Sequence, residues 1–357
     1  MIRRWTGILF LSVIVLSLLQ GCTDSGGEYW PTEEWRTAIP EEKGIDSGKL
    51  ADMIEKILDE NKDFHSILVI RGGYLVMEAY FNPYGRDDLH NIYSASKSMS
   101  ALLTGIAMEE GYIDSLHQPA LDLFPGYRGS VGNVDDRKES LTLFHLLTMT
   151  DGLEWTDGPY LARRTGDFLS LLTADDGIRY FLDKPMRDEP GTKWNYNSGS
   201  SYMLSAIIQN RTGRSALKYA KEKLFEPIGI RDAYWGTYQE GISNGGSEMF
   251  LRPRDFARIG CLVLKEGQWD GKQIIPSKWI HEATSEYVKA DFLEYGYGYQ
   301  WYIDESLSHR NVSAGGLGGQ YLFVIPDLEM VVVFTASLIE RDPDIIDLPF
   351  FHLRDYI

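Results

Sequence analysis

Hydrophobic positions divide the chain into runs of two periods. Between Ser47 and Asn61, Leu50, Met53, Ile54 and Ile57 recur at three- and four-residue steps, which predicts an amphipathic helix. His65–Arg71 and Tyr74–Phe81 are short, mostly apolar runs separated by Gly72-Gly73, and two glycines in that position signal a β-hairpin. Helical spacing returns at Met99, Leu102, Leu103, Ile106 and Ala107, and stops at Gly111, where a left-handed cap residue is wanted. From about Thr104 to Leu224 the pattern is mostly helical with long polar connections. That stretch holds the run Leu141–Thr150 closing on Asp151-Gly152, a Pro190-Gly191 turn and a helix over about Ser200–Asn210. After Pro227 a loop-rich stretch leads to a helix over Arg254–Lys265. The tail then reads as strands at Tyr295–Ile303, Arg310–Ala314, Gln320–Ile325 and Met330–Thr335. A short closing helix is expected near Asp347–Tyr356, with Pro349 in its first turn.

The order is strands, a helical block, then strands. Early and late strands are therefore expected in one antiparallel sheet flanked by helices, with an all-helical subdomain inserted: an α+β fold. The α/β part would comprise residues 36–92 and 225–357, and the helical part 93–224. No internal repeat or low-complexity block interrupts this plan.

The first residues belong to a different class. Arg3 and Arg4 precede an apolar run from Ile8 to Leu19 that is too short to span a bilayer as a helix. The run closes on Leu19-Gln20-Gly21-Cys22, which resembles a bacterial lipoprotein signal, in which the cysteine is lipidated and becomes the new N-terminus. Residues 1–21 are thus expected as a signal peptide, Cys22 as the lipid attachment site and residues 22–35, polar and Gly-rich at their start, as a tether. The body, 36–357, would be exported and held at a bacterial membrane by its lipid.

Composition narrows the partners. Apolar content of 43% and charged content of 24% are ordinary for a globular protein, but the net charge is −17. Removing residues 1–21, which carry two arginines and no acid, makes the chain more acidic still. Nucleic acid is excluded as an expected partner, because its binders are usually basic. With Cys22 lipidated, Cys261 has no partner for a disulfide and reads as a buried thiol in an apolar helix. The seven histidines are scattered without metal-ligand spacing, so neither a metal nor a cofactor is expected.

Candidate chemistry concentrates in Tyr93-Ser94-Ala95-Ser96-Lys97-Ser98-Met99 at the start of the Met99–Ala107 helix. Residues three apart on a helix lie on neighbouring turns of one face, so Lys97 would sit beside Ser94. A serine hydroxyl needs a base within hydrogen-bond reach to become a good nucleophile. A lysine serves only when burial or a helix dipole pulls its pKa down. The N–H groups at the helix start suit a developing oxyanion. A second pair of the same spacing, Ser215 and Lys218, follows Thr212-Gly213-Arg214 and reads as a helix N-cap instead.

From about Ile39 onward the chain resembles the serine β-lactamase and penicillin-binding-protein superfamily, and most closely the branch containing class C β-lactamases, related esterases and 6-aminohexanoate-dimer hydrolases. Besides Ser94–Lys97, the resemblance is carried by His65–Arg71, Leu146-Leu147-Thr148-Met149-Thr150-Asp151-Gly152-Leu153, Pro190–Gly199, Arg252-Pro253-Arg254-Asp255 and Gly315-Gly316-Leu317-Gly318-Gly319-Gln320. It implies the β-lactamase/transpeptidase-like fold and acyl transfer through a serine-bound intermediate. The family's Tyr-x-Asn motif matches Tyr196-Asn197-Ser198, which makes Tyr196 the proton shuttle and puts Ser198 where a substrate-holding asparagine is usual. The family's Lys-Thr-Gly strand matches Ala314-Gly315-Gly316, without the cation. Gly315 and Gly316 would let the strand approach a substrate, and the N–H of Leu317 would pair with that of Ser94 as an oxyanion hole.

Other motifs carry less. Gly241-Ile242-Ser243-Asn244-Gly245 has the spacing of a nucleophile elbow but lacks the strand and helix around it, so it reads as a loop. His145, on a largely apolar face, reads as a core histidine. Three functions remain compatible with the sequence. They are an esterase or amidase on small molecules, a D-amino-acid peptidase or β-lactamase acting at the cell wall, and a binding or sensor module without turnover. The substrate in the enzymatic readings is a small ester, amide or peptide.

Overall fold

The computed structural model describes residues 29–59, 62–158, 166–290, 295–306 and 308–338. Residues 1–28, with Cys22, and the closing helix expected near 347–356 lie outside them. The chain runs through α1 (Ser47–Asp59), the hairpin β1 (Phe64–Arg71) and β2 (Tyr74–Tyr80), β3 (His90–Asn91) and α2 (Ser96–Glu109). Six further helices follow in sequence: α3 (Asp136–Ser140), α4 (Leu143–Leu147), α5 (Asp167–Thr173), α6 (Gly177–Leu182), α7 (Ser198–Thr212) and α8 (Ala216–Ala220). Next come β4 (Tyr234–Trp235), β5 (Met249–Leu251), α9 (Pro253–Leu264), the small hairpin β6 (Gln268–Trp269) and β7 (Lys272–Gln273), and α10 (Ser277–Ala283). The last strands are β8 (Val288–Lys289), β9 (Gly296–Tyr297), β10 (Tyr302–Asp304), β11 (Asn311–Gly316), β12 (Gln320–Ile325) and β13 (Met330–Ala336).

Eight strands form one sheet in the order β2-β1-β13-β12-β11-β10-β9-β8, and every neighbouring pair is antiparallel. The first and last parts of the chain meet at the β1–β13 pair, where Ile67 faces Phe334 and Val69 faces Val332. Successive side chains of a strand point to opposite faces. Ile67 and Val69 accordingly join the apolar layer under α1, with Leu50, Met53, Ile57 and Phe323. Leu68 and Ile70 join the opposite layer, with α9, α2 and the helical block. Both faces are covered, which explains why β1 reads as a continuous apolar run rather than an alternating one.

Several expected elements shift. The run Tyr295–Ile303 is not one strand: β9 and β10 pair antiparallel, Tyr297 opposite Tyr302, and the chain reverses between them through Gln300 at φ +60. The reversal is imposed from outside the run by the partners of Gln300 described below. Residues 30–35, expected as the end of a tether, lie against the body. Trp30 packs on Trp269, Arg258 Nε donates to Pro31 O at 2.7 Å, and Trp35 is buried. His145 is not a core histidine. Its Nδ1 lies 3.1 Å from the Thr142 backbone N–H and closes a capping box at the start of α4. The hairpin at Gly72-Gly73 and the left-handed Gly111 after α2 adopt the conformations their positions require. Among the described residues, no helix is long and apolar enough to cross a membrane.

Candidate active site

α2 runs through the centre of the molecule. Every residue from Ala95 to Ala107 is buried, although five of them carry hydroxyls or an amine. Burial of polar groups is tolerated only when each has a partner. Ser96 Oγ donates to Tyr93 O at 2.5 Å, Ser98 Oγ to Gln300 O at 2.6 Å, Ser100 Oγ to Gly245 O at 3.0 Å and Thr104 Oγ1 to Ser100 O at 2.9 Å. Ser94 precedes this buried stretch in a short 3₁₀ turn, Tyr93–Ala95, and is only half-buried. Tyr93 holds φ +46, a left-handed conformation that costs a non-glycine residue roughly 1–2 kcal/mol. Its N–H donates to Asn91 Oδ1 at 2.9 Å, which fixes the sharp passage from β3 into α2 with Ser94 at the corner.

Lys97 Nζ lies 3.1 Å from Ser94 Oγ and donates to Gly246 O at 2.5 Å. It is 3% exposed and, among the described residues, makes no ion pair. Burial pulls its pKa down to about 8 against the opposing attraction of the Asp157 carboxylate. The half-buried Tyr196 flanks the same ammonium position, its ring centroid 4.9 Å from Lys97 Nζ.

Tyr196 is positioned by two chain segments bound to each other. Asn195 N–H donates to Met149 O at 2.9 Å, and Gly191 N–H to Thr150 O at 2.8 Å. Asn197 caps α7 by accepting from Ser200 N–H at 3.1 Å, and its own Nδ2 donates to Asp151 Oδ2 at 3.1 Å. Asp151 also accepts from Ser200 Oγ at 2.9 Å and from Leu153 N–H at 2.9 Å. Burial raises its pKa to about 6, with these hydrogen bonds opposing the rise. The Thr150-Asp151-Gly152 and Tyr196-Asn197-Ser198 motifs are thereby clamped together.

The end of β11 forms the opposite wall. A Cβ on Gly316 would fall 2.2 Å from Ile92 O and 3.2 Å from Ala95 N, so only glycine lets the strand reach the Ser94 turn. Leu317 follows directly at the strand's end. Gly315 lies against the rings of Tyr321 and Tyr302, and Ala314 is 1% exposed in the core, where its methyl group offers no charge to a ligand. Ser198 opens α7, and both its N–H and its hydroxyl donate to Asp157. Ser215 is the N-cap of α8, and Ser243 Oγ accepts from Leu217 N–H; both belong to the loops and caps the sequence suggests.

Two residues of this arrangement escape sequence reasoning. Gln300 ties three helices together. Its Nε2 donates to Leu146 O and Leu147 O at 3.0 and 2.9 Å, its Oε1 accepts from Ser201 at 2.6 Å, and its carbonyl accepts from Ser98. Asp157 sits in Trp155-Thr156-Asp157-Gly158, which reads as an ordinary turn. Asp157 lies in an aperiodic stretch and Gln300 in an alternating run that reads as one unbroken strand, so no local signal marks either.

A family model described as Beta-lactamase matches residues 58–347. The 6-aminohexanoate-dimer hydrolase of Paenarthrobacter ureafaciens is 25% identical over 314 residues, 83% of this chain and 77% of that protein. A family VIII carboxylesterase superposes with a TM-score of 0.68 at 18% identity, over 90% of this chain and 99% of its own. The octameric penicillin-binding protein homologue from Pyrococcus abyssi does so with a TM-score of 0.69 at 21% identity, over 87% and 77%. The two structures share the fold, and with a match over most of its length the chain belongs to the Beta-lactamase family of serine hydrolases and penicillin-binding proteins.

Proposed function

We propose that this hydrolase cleaves ester or amide bonds of small, uncharged substrates through an acyl-enzyme on Ser94. The observation that carries the reading is the buried Lys97 Nζ, 3.1 Å from Ser94 Oγ with its pKa pulled to about 8. Lys97 takes the serine proton as the hydroxyl attacks the carbonyl, and Tyr196 relays it to the leaving group. The N–H groups of Ser94 and Leu317 hold the oxyanion, and water then releases the acyl group with the same residues in reversed roles. The absence of a cation at Ala314 favours uncharged substrates over the carboxylates of penicillins and D-Ala-D-Ala peptides. Export and anchoring through a lipid on Cys22 complete the proposal, supported by the Leu19–Cys22 motif.

A fluorophosphonate probe tests the nucleophile. The wild type should be labelled on Ser94 and Ser94→Ala should remain unlabelled. Labelling on Ser215 or Ser243 would refute the assignment.

A further inference from the structure

The carbonyl that holds Lys97 belongs to Ser243-Asn244-Gly245-Gly246-Ser247, which overlaps the stretch with the spacing of a nucleophile elbow. Residues 242–246 are buried, so their backbone groups need partners within the protein. Asn244 closes this loop as a turn in two ways. Its backbone oxygen accepts from Ser247 N–H at 3.1 Å, and its side-chain Oδ1 accepts from Gly246 N–H at 3.2 Å. The second contact is an Asx-turn, in which the side chain stands in for a backbone carbonyl, and it is the reason asparagine suits the first position of a turn. The Ser247 N–H and the Gly246 carbonyl are two ends of one planar peptide group. Holding its N–H on Asn244 O therefore sets the direction of its C=O, which accepts from Lys97 Nζ at 2.5 Å.

The turn is anchored to its surroundings. Trp235 Nε1 donates to Asn244 O and, at 3.1 Å, to Ser247 O. Ser100 Oγ, one turn beyond Lys97 on α2, donates to Gly245 O at 3.0 Å. A Cβ on Gly245 would fall 2.1 Å from Ser201 O on α7, so the turn fits only with glycine there. Asn244 Nδ2 has no partner among the described residues, and the amide contributes through its oxygen alone.

We propose that Asn244 is a positioning residue of the reaction: the turn it closes aims the Gly246 carbonyl at Lys97 and so holds the amine beside Ser94. The inference rests on Lys97 being the base for Ser94 in the proposed hydrolase. Asn244 is fully buried and acts on the reaction through Gly246 and Lys97.

The test follows hydrolysis of p-nitrophenyl acetate and the rate of fluorophosphonate labelling of Ser94 across pH in the wild type, Asn244→Ala and Asn244→Asp. Alanine removes the Asx-turn. At the pH plateau kcat and kcat/KM should fall together about ten-fold, short of the roughly hundred-fold that a displacement of about 1 Å can cost, and labelling should slow alike. Aspartate supplies the same acceptor, so its plateau should return to within about three-fold of the wild type, while the added carboxylate moves the acidic limb to higher pH by favouring the ammonium. Where Asn244→Ala does not fold, Trp235→Phe loosens the same turn by removing the indole N–H and should show the same fall in kcat. An asparagine needed only for stability predicts a lower unfolding midpoint with the plateau unchanged. A wild type that labels on Ser94, beside a folded Asn244→Ala (or Trp235→Phe in its place) that reaches the wild-type plateau, overturns the positioning role alone. So does an Asn244→Asp plateau as low as that of Asn244→Ala. A wild type that neither labels on Ser94 nor turns over the ester overturns the hydrolase reading and this inference with it.

Discussion

Replacing Lys97 by methionine should abolish turnover and yet make the protein more stable at neutral pH. The buried ammonium is the reason. Lys97 is 3% exposed, and its pKa falls from 10.5 to about 8 because burial disfavours the charged form. A tenfold change in a protonation equilibrium is worth about 1.4 kcal/mol, so keeping the charge in the folded state costs about 3 kcal/mol at pH 7. Below the folded pKa both states carry the proton and the full cost is present. Between the folded and unfolded values only the unfolded chain is protonated, and the cost shrinks to about 1 kcal/mol near pH 10. Methionine has a similar length and no charge, and buried charges are often replaced by apolar groups with a gain in stability. It leaves Gly246 O without its donor, a loss of about 1–2 kcal/mol. The net expectation is a gain of about 1–2 kcal/mol at pH 7 that disappears or reverses by about pH 10. Urea unfolding of both proteins, followed by tryptophan fluorescence at several pH values, measures the difference. In the wild type kcat/KM should rise about ten-fold per pH unit up to about pH 8 and then level, as free base accumulates. A variant less stable at every pH, or a difference that does not change between about pH 7 and 10, would refute the assignment of Lys97 as a buried amine titrating in that range.

Three further outcomes are expected. A short-chain p-nitrophenyl ester should be used with a higher kcat/KM than a chromogenic cephalosporin. A hydrogen bond to a charged group is worth about 1.5–3 kcal/mol, or roughly 10- to 100-fold, and Ala314 cannot make one. Efficient cephalosporin turnover, on the order of 10⁶ M⁻¹s⁻¹, would contradict that. Gln300→Ala should lower stability by about 1–3 kcal/mol in urea unfolding, because the buried Ser201 hydroxyl loses its partner while the α4 carbonyls lose the side-chain donor and keep backbone N–H groups, Leu147 O that of residue 300 itself. A loss below about 1 kcal/mol would mean the three helices hold together without it. Palmitate should label the wild type and not Cys22→Ser, with the variant leaving the membrane fraction; unchanged labelling would disprove the anchor.

The sequence by itself determined what depends on neighbours along the chain. Periodicity marked α1, the β1–β2 hairpin, α2, α9 and β11 to β13 to within a few residues, because a helix or strand repeats its own geometry every turn or every second residue. The Ser94–Lys97 pairing was equally legible, since residues three apart on a helical turn approach each other whatever surrounds them. Tertiary structure decided the rest. The basicity of Lys97 depends on burial and on the charge of Asp157, and its amine is held by the carbonyl of Gly246 far along the chain, none of which a local pattern encodes. The run Tyr295–Ile303 has strand composition throughout, yet it folds back because the partners of Gln300 on α2, α4 and α7 claim its backbone and side chain. Ser198 stands where the family usually has an asparagine, and only the tertiary structure pairs its hydroxyl with Asp157, a turn residue by every local sign. Such contacts join segments whose distance is set only when the helical block docks on the sheet. Local pattern therefore fixed the Ser94–Lys97 pair, and docking of distant segments fixed the environment around it.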